Sequence, residues 1–228
     1  MMLVPMRTFS MSIIDGKRTM RTVGEGVRSL DKRKVFNFDE FKALKAPPPP
    51  EGSDPMYVPF YTYDVMRNYA QERLQYIDGG SSREAFVLTP RYALKVALND
   101  KGVAQNKAEA KLSKTRGASE AIAKTVTSDK NGNWVVAELV RPLVDDDEFE
   151  ERTGITLDDL YMALETGSYH RFPANTRALI DGLRALRRAG LENDYRFEQF
   201  GVTPDGRVVL LDIGYTKAVA RKYYSEWQ

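Results

Sequence analysis

From about residue 57 onward, the apolar positions of this chain fall into short stretches of two kinds. Residues 63–74 place Val65, Met66, Tyr69 and Leu74 at helical spacing. Residues 77–88 run from a small-residue turn (Gly79, Gly80, Ser81, Ser82) into an apolar strand. A second strand follows over 92–97, in which Lys95 is the only charge. Residues 103–116 are Ala-rich and charged, which predicts a helix stopped by Gly117. Asn131 and Gly132 predict a hairpin, and residues 133–142 a strand that ends at Pro142. Thr156 caps a helix running to 164, with Asp159 completing an approximate capping box. Residues 175–189 are plainly amphipathic, with Leu179, Ile180, Leu183 and Leu186 on one face. Gly190 stops that helix. A strand–turn–strand follows over 202–212, turning on Thr203, Pro204, Asp205 and Gly206.

The first 55 residues lack this patterning. Basic residues are frequent there but interleaved with acidic ones, which describes solvated charge better than a phosphate-binding surface. Phe36, Phe38 and Phe41 suggest a short helix capped by Asn37 or Asp39. Pro47, Pro48, Pro49 and Pro50 form a stiff spacer and mark a boundary. The expected organisation is thus an arm over 1–55, a strand-rich part over 56–142 and a mostly helical part over 143–228. The arm would be partly ordered and would dock on a partner protein or on another copy.

Composition narrows the picture. With 228 residues the chain can bury one substantial core or two small lobes. A net charge of +2 leaves no nucleic-acid footprint on the chain as a whole. No window is apolar enough to span a membrane, and the N-terminus reads as no secretory signal. The absence of cysteine excludes disulfides and thiolate metal sites and points to a cytoplasmic setting.

The chemistry gathers at four places. An ammonium inside an apolar strand needs a cleft or a carboxylate, so Lys95 calls for a partner; Glu109 is the first candidate and Glu120 the second. Asp194 and Asp212 flank the late hairpin. Two carboxylates meeting at strand ends can hold a divalent cation, or divide the roles of base and metal ligand. An Asp at a strand end followed by Ile-Gly is more often only a turn. The small residues at 79–82 would let backbone N–H groups approach an anion, although the same residues also make an ordinary hairpin. The acidic run at 145–147 reads as a solvated stretch rather than a cation site. The only histidine, His170, sits in a loop with no triad around it.

In this order the pieces resemble the protein-kinase-like superfamily. Residues 79–87 look like its glycine-rich loop, although they depart from G-x-G-x-x-G. Ala93, Leu94, Lys95 and Val96 resemble the V-A-I-K strand. The resemblance implies that Lys95 grips the α- and β-phosphates of ATP, with Glu109 as its ion-pair partner. It implies that Glu138 and Val140 offer backbone groups to an adenine, and that Gly79, Gly80, Ser81 and Ser82 lie along the phosphates. Asp194 falls at the catalytic-loop Asp, and Asp212, Ile213 and Gly214 resemble D-F-G. Asp212 would then ligate Mg²⁺, together with Gln199 five positions after Asp194. The stretch from Leu94 to Glu109 is also similar in style to small kinase-like proteins of tailed bacteriophages, for which the setting would be the host cytoplasm or the virion.

The resemblance implies an α+β, two-lobed fold with a reduced C-terminal lobe and an N-terminal extension. There are departures. Glu192 and Asn193 stand in place of His-Arg, Gln199 replaces the metal-binding Asn, and no A-P-E segment follows Gly214. The expected activity is transfer of the γ-phosphoryl of Mg-ATP to an unidentified hydroxyl, with Asp194 orienting the acceptor. The alternative is an inert pseudokinase serving as an interaction or structural module.

Overall fold

The computed structural model describes residues 9–14, 17–22, 34–54, 60–192 and 195–224. The chain divides into two compact units, Met1–Lys34 and Val35–Gln228. In the first unit, β1 (Phe9–Ile14) pairs antiparallel with β2 (Lys17–Thr22), Phe9 opposite Thr22.

The second unit begins with α1 (Phe38–Ala43), where the Asn37 side chain accepts from the Asp39 and Glu40 N–H groups as an N-cap. After α2 (Thr62–Arg73) come β3 (Gln75–Gly79), β4 (Arg83–Thr89) and β5 (Tyr92–Ala97). Helix α3 (Asp100–Leu112) then crosses to β6 (Thr125–Ser128) and β7 (Trp134–Glu138). These strands form one antiparallel sheet in the order β3-β4-β5-β7-β6. Phe41, Met66, Tyr69, Phe86, Leu94, Val96 and Trp134 make its core cluster. Helix α1 therefore belongs to this unit, because Phe41 is fully buried there. The proline run at 47–50 interrupts the larger unit; the two units separate at 34/35 rather than at 55.

The expected strand over 133–142 is two strands. Strand β7 stops at Glu138, and Leu139 and Val140 lead to β8 (Arg141–Pro142), which joins a different sheet. That sheet has the order β10-β9-β8, with β9 (Phe200–Val202) and β10 (Val208–Leu210) forming the expected hairpin. Gly206 takes φ +87° in its turn, and the Thr203 hydroxyl accepts from Arg207 N–H at 2.9 Å. Around this sheet lie α4 (Asp146–Thr153), α5 (Leu157–Thr166) and α6 (Ala174–Arg188), while α7 (Lys217–Tyr223) packs on α3. Phe149, Leu160, Ile180, Leu183, Leu186, Phe200 and Leu210 fill their core. The fold is α+β, as expected.

The acidic run at 145–147 is helix chemistry. Asp145 accepts from Glu148 N–H at 2.8 Å and caps α4. Glu148 in turn ties α4 to β8. It pairs with Arg141, receives Arg152 Nε at 2.8 Å and accepts Val144 N–H at 3.1 Å. Hydrogen bonding from Arg141 is the main cause that lowers the Glu148 carboxyl to about 2. A depressed carboxyl pKa gives stability that is complete above the unfolded value, near 4.5, and lost as pH falls toward 2. The stability difference between wild type and Glu148→Gln should therefore shrink steadily in urea titrations taken from pH 5 down to pH 2.

Candidate functional site

The cleft is built on the fit of α3 against the turn between β3 and β4. Asn99 caps α3 by accepting Gly102 N–H at 3.0 Å. Gly102 lies so close to the Ser82 carbonyl that an added Cβ would stand 1.9 Å from its oxygen. The same carbonyl accepts Leu98 N–H at 2.8 Å, and Ser82 Oγ hydrogen-bonds Gln105 Oε1 at 2.6 Å. With its first turn fixed there, α3 carries Glu109 to the underside of β5.

Glu109 is 1% exposed and receives two cations. Lys95 Nζ lies 2.7 Å from its Oε1, and Arg83 Nη1 lies 2.6 Å from its Oε2. Lys95 also donates to the Leu211 carbonyl at 2.8 Å, next to Asp212. Arg83 donates to Asn106 Oδ1 at 3.2 Å and, through Nη2, pairs with Asp212 Oδ1. Asp212 Oδ1 also accepts Gly214 N–H at 2.8 Å. Two cations and two carboxylates thus form one continuous network from sheet to hairpin.

The network sets the charge states. Burial alone would raise the Asp212 carboxyl, but the charges of Arg83 and Lys95 and the bonds from Arg83 and Gly214 hold it well below the usual carboxylate range. Burial opposes the charge on Arg83, and Asp212 and Glu109 outweigh it, so the guanidinium stays charged. The Asp212 side chain remains 51% exposed, open to the cleft.

Gly79 and Gly80 border the cleft at the β3–β4 turn, Ala85 and Ala93 face it from the sheet, and Glu138, Leu139 and Val140 form the far edge. Lys95, Arg83 and Asp212 line it where the sheet meets the hairpin. At the far edge, Glu138 N–H donates to the Lys124 carbonyl at 2.9 Å and Leu139 N–H to the Arg91 carbonyl at 2.8 Å. The Val140 N–H has no hydrogen bond to another described residue.

Of the residues singled out in the sequence, Gly79, Gly80, Lys95, Glu138, Val140 and Asp212 meet at this cleft, with Glu109 beneath it. Ser81 and Ser82 do not line it. Ser81 Oγ takes Lys101 Nζ at 2.8 Å, and the Ser82 hydroxyl is spent on Gln105, so both side chains hold α3. Gln199 sits in the helical turn Phe197–Gln199, and its backbone carbonyl accepts Leu211 N–H at 2.8 Å. That bond puts it beside the Asp212 strand, though its side chain does not line the cleft. Glu120 pairs with neither Lys95 nor Arg83; it borders a separate hollow with Arg152 and Arg207. His170 is exposed in its loop.

Asp194 lies outside the described residues. The described residues nearest to it, Leu191, Glu192 and Tyr195, are well held. Leu191 bridges Thr216, and Glu192 N–H donates to the Tyr215 carbonyl at 3.0 Å. Tyr195 adopts φ +41°, a left-handed conformation that costs a bulky residue about 1–3 kcal/mol. Burial between Tyr161 and Phe200 keeps it there and pushes its hydroxyl up to about 12.

Arg83 is the residue that sequence reasoning missed. The strand register brings it in: Ala85 sits opposite Lys95, and Arg83, two residues before Ala85 on the same strand, shares that face.

The residues fit one divalent cation carried in by phosphates. Mg²⁺ commonly takes one or two carboxylates and completes its shell with phosphate and water. The half-exposed Asp212 supplies one such carboxylate, while among the described residues no three acidic or imidazole groups converge.

No family model and no curated protein matches the sequence. Among solved structures, the chain is similar to WbdD bound to a kinase inhibitor, at 16% identity and TM-score 0.38, over 65% of this chain and 34% of that one. A second WbdD structure, described as a bifunctional kinase-methyltransferase, matches at 17% identity and TM-score 0.35, over 58% and 29%. A mutant aminoglycoside 2'-phosphotransferase-IIIa in complex with GDP matches at 13% identity and TM-score 0.36, over 66% and 69%. The match spans about a third of the length of the WbdD chains.

Proposed function

We propose that this chain binds Mg-ATP in the cleft and transfers its γ-phosphoryl group to a hydroxyl acceptor. One observation carries the reading. Lys95 is held between Glu109 and the Leu211 carbonyl, so its ammonium is fixed beside Asp212 in the same cleft that Gly79 and Gly80 border. An ammonium, a small-residue turn and an acid at one opening suit a polyphosphate and its counter-ion.

Ala85 and Ala93 leave a flat apolar slot for a base, and the Val140 N–H offers it a donor. Lys95 neutralises phosphate oxygens, and Glu109 fixes its position. Asp212 would hold the metal, which when bound offsets phosphate charge. Asp194 would orient the acceptor hydroxyl and receive its proton. Catalysis of this type depends mainly on positioning and electrostatics, and few side chains are needed.

The test is turnover of labelled ATP. Asp212→Ala should lower it by on the order of 10²–10³-fold, the usual loss on removing one preorganised electrostatic contact. Equal turnover by wild type and variant would overturn the reading. One observation favours a second reading, that of an inert nucleotide-binding module: Arg83 already pairs with Asp212. Calorimetric binding of Mg-ATP by a wild type that shows no turnover would select it.

A further inference from the structure

Arg83 changes what the cleft asks of a metal. Its guanidinium is 8% exposed, yet it lines the opening beside Lys95 and Asp212. Three acceptors fix it: Glu109 at 2.6 Å, Asn106 at 3.2 Å and the Asp212 carboxylate. Asn106 is itself fully buried and anchored to the Gly132 carbonyl at 2.9 Å, so the guanidinium cannot easily swing away. With Lys95 and Arg83 charged against Glu109 and Asp212, the four groups sum to zero. Without Arg83 the other three groups would be net negative, beside the cleft's other acids Asp78, Glu84 and Glu138, and would repel a polyphosphate until a metal arrived.

Arg83 also restricts the metal. Together with Gly214 N–H it occupies Asp212 Oδ1, leaving the other carboxylate oxygen for a cation. A fixed positive charge at hydrogen-bond distance from that carboxylate opposes the approach of a divalent ion.

We propose that Arg83 is a resident cation of the site, performing part of the charge neutralisation that a divalent metal supplies, so that a nucleoside triphosphate is held without metal. The inference rests on the nucleotide reading above and adds to it the charge of this one side chain.

The test is calorimetric titration of the full chain with ATP, first in EDTA and then in excess Mg²⁺. Wild type should bind in both, with affinities within about tenfold. Arg83→Met should lose about 10–100-fold in EDTA, the range of one charge-assisted contact, and little in Mg²⁺. Arg83→Lys should recover part of the metal-free affinity. Wild-type binding that appears only with Mg²⁺ would overturn the proposal and leave the nucleotide reading standing. An equal loss by Arg83→Met in both buffers would also overturn it, since a purely structural arginine behaves that way. Failure of wild type to bind ATP in either buffer would remove the nucleotide reading, and the proposal with it. Should Arg83→Met not fold, the wild-type comparison alone decides.

Discussion

Glu109→Ala should destabilise the larger unit by about 3–5 kcal/mol, the cost of stripping a buried ion network of its shared partner. Glu109 is 1% exposed, and each of its oxygens takes a different cation. Its loss leaves Lys95, among the described residues, with the Leu211 carbonyl and the charge of Asp212, and Arg83 with Asn106 and Asp212. Arg83 is 8% and Lys95 15% exposed, so water in the cleft replaces little of what Glu109 supplies. Single domains are stable by only about 5–15 kcal/mol, so this one change removes a large fraction. A urea melt should show a much lower midpoint with an unchanged slope. An unfolding free energy within about 1 kcal/mol of wild type would mean that the two cations find other partners. Glu109→Gln should lie between the two, because an amide keeps an acceptor for one cation while losing the charge.

The second large effect is expected at Gly102. An added methyl there meets backbone, the Ser82 carbonyl at 1.9 Å and the Ala97 Cα at 3.2 Å. Backbone cannot rotate aside as a long side chain can, so the first turn of α3 must lift from the β3–β4 turn. Overpacking of this kind costs about 1–3 kcal/mol, occasionally more. Gly102→Ala should sit at the upper end of that range. The lift would also part Gln105 from Ser82 and shift Glu109 beneath Lys95, so ATP affinity should fall along with the midpoint. Gly80→Ala is the control for stability: nothing lies within 4 Å of its added methyl, and the urea midpoint should stay near wild type.

Much of this arrangement was legible in the sequence, for identifiable reasons. A lone ammonium in an apolar strand had to find an acid, and the following helix offered Glu109 at the right distance. The turn at 203–206 combined Pro, Asp and Gly, which leave few other conformations. The Thr156 capping box formed as read, with Asp159 accepting Thr156 N–H at 3.2 Å. Four things were not legible. The break between β7 and β8 carries no Gly or Pro; it occurs because Arg141 pairs with Val202, some sixty residues away. Phe41 falls in the stretch that reads as an arm, because its partners Tyr69 and Trp134 lie 28 and 93 residues further along the chain. Ser81 and Ser82 were read for their small size, whereas their hydroxyls serve α3. Arg83 was passed over because an arginine at a strand start ordinarily faces water, and only the cross-strand register turns it inward.

The hairpin that carries Asp212 is tethered from several directions. Leu210 exchanges backbone hydrogen bonds with Ala121 and Ala123, Leu211 receives Lys95, and Arg207 reaches Glu138 at 3.5 Å. These ties span the two layers that bound the cleft, so swinging the layers apart would break them all at once. Strand β3, by contrast, is exposed along its whole length and holds to the sheet through β4 alone. The outer ribbon thus has far fewer ties to break than the floor, and on the proposed reading it is the wall of the cleft that yields first to admit a guest.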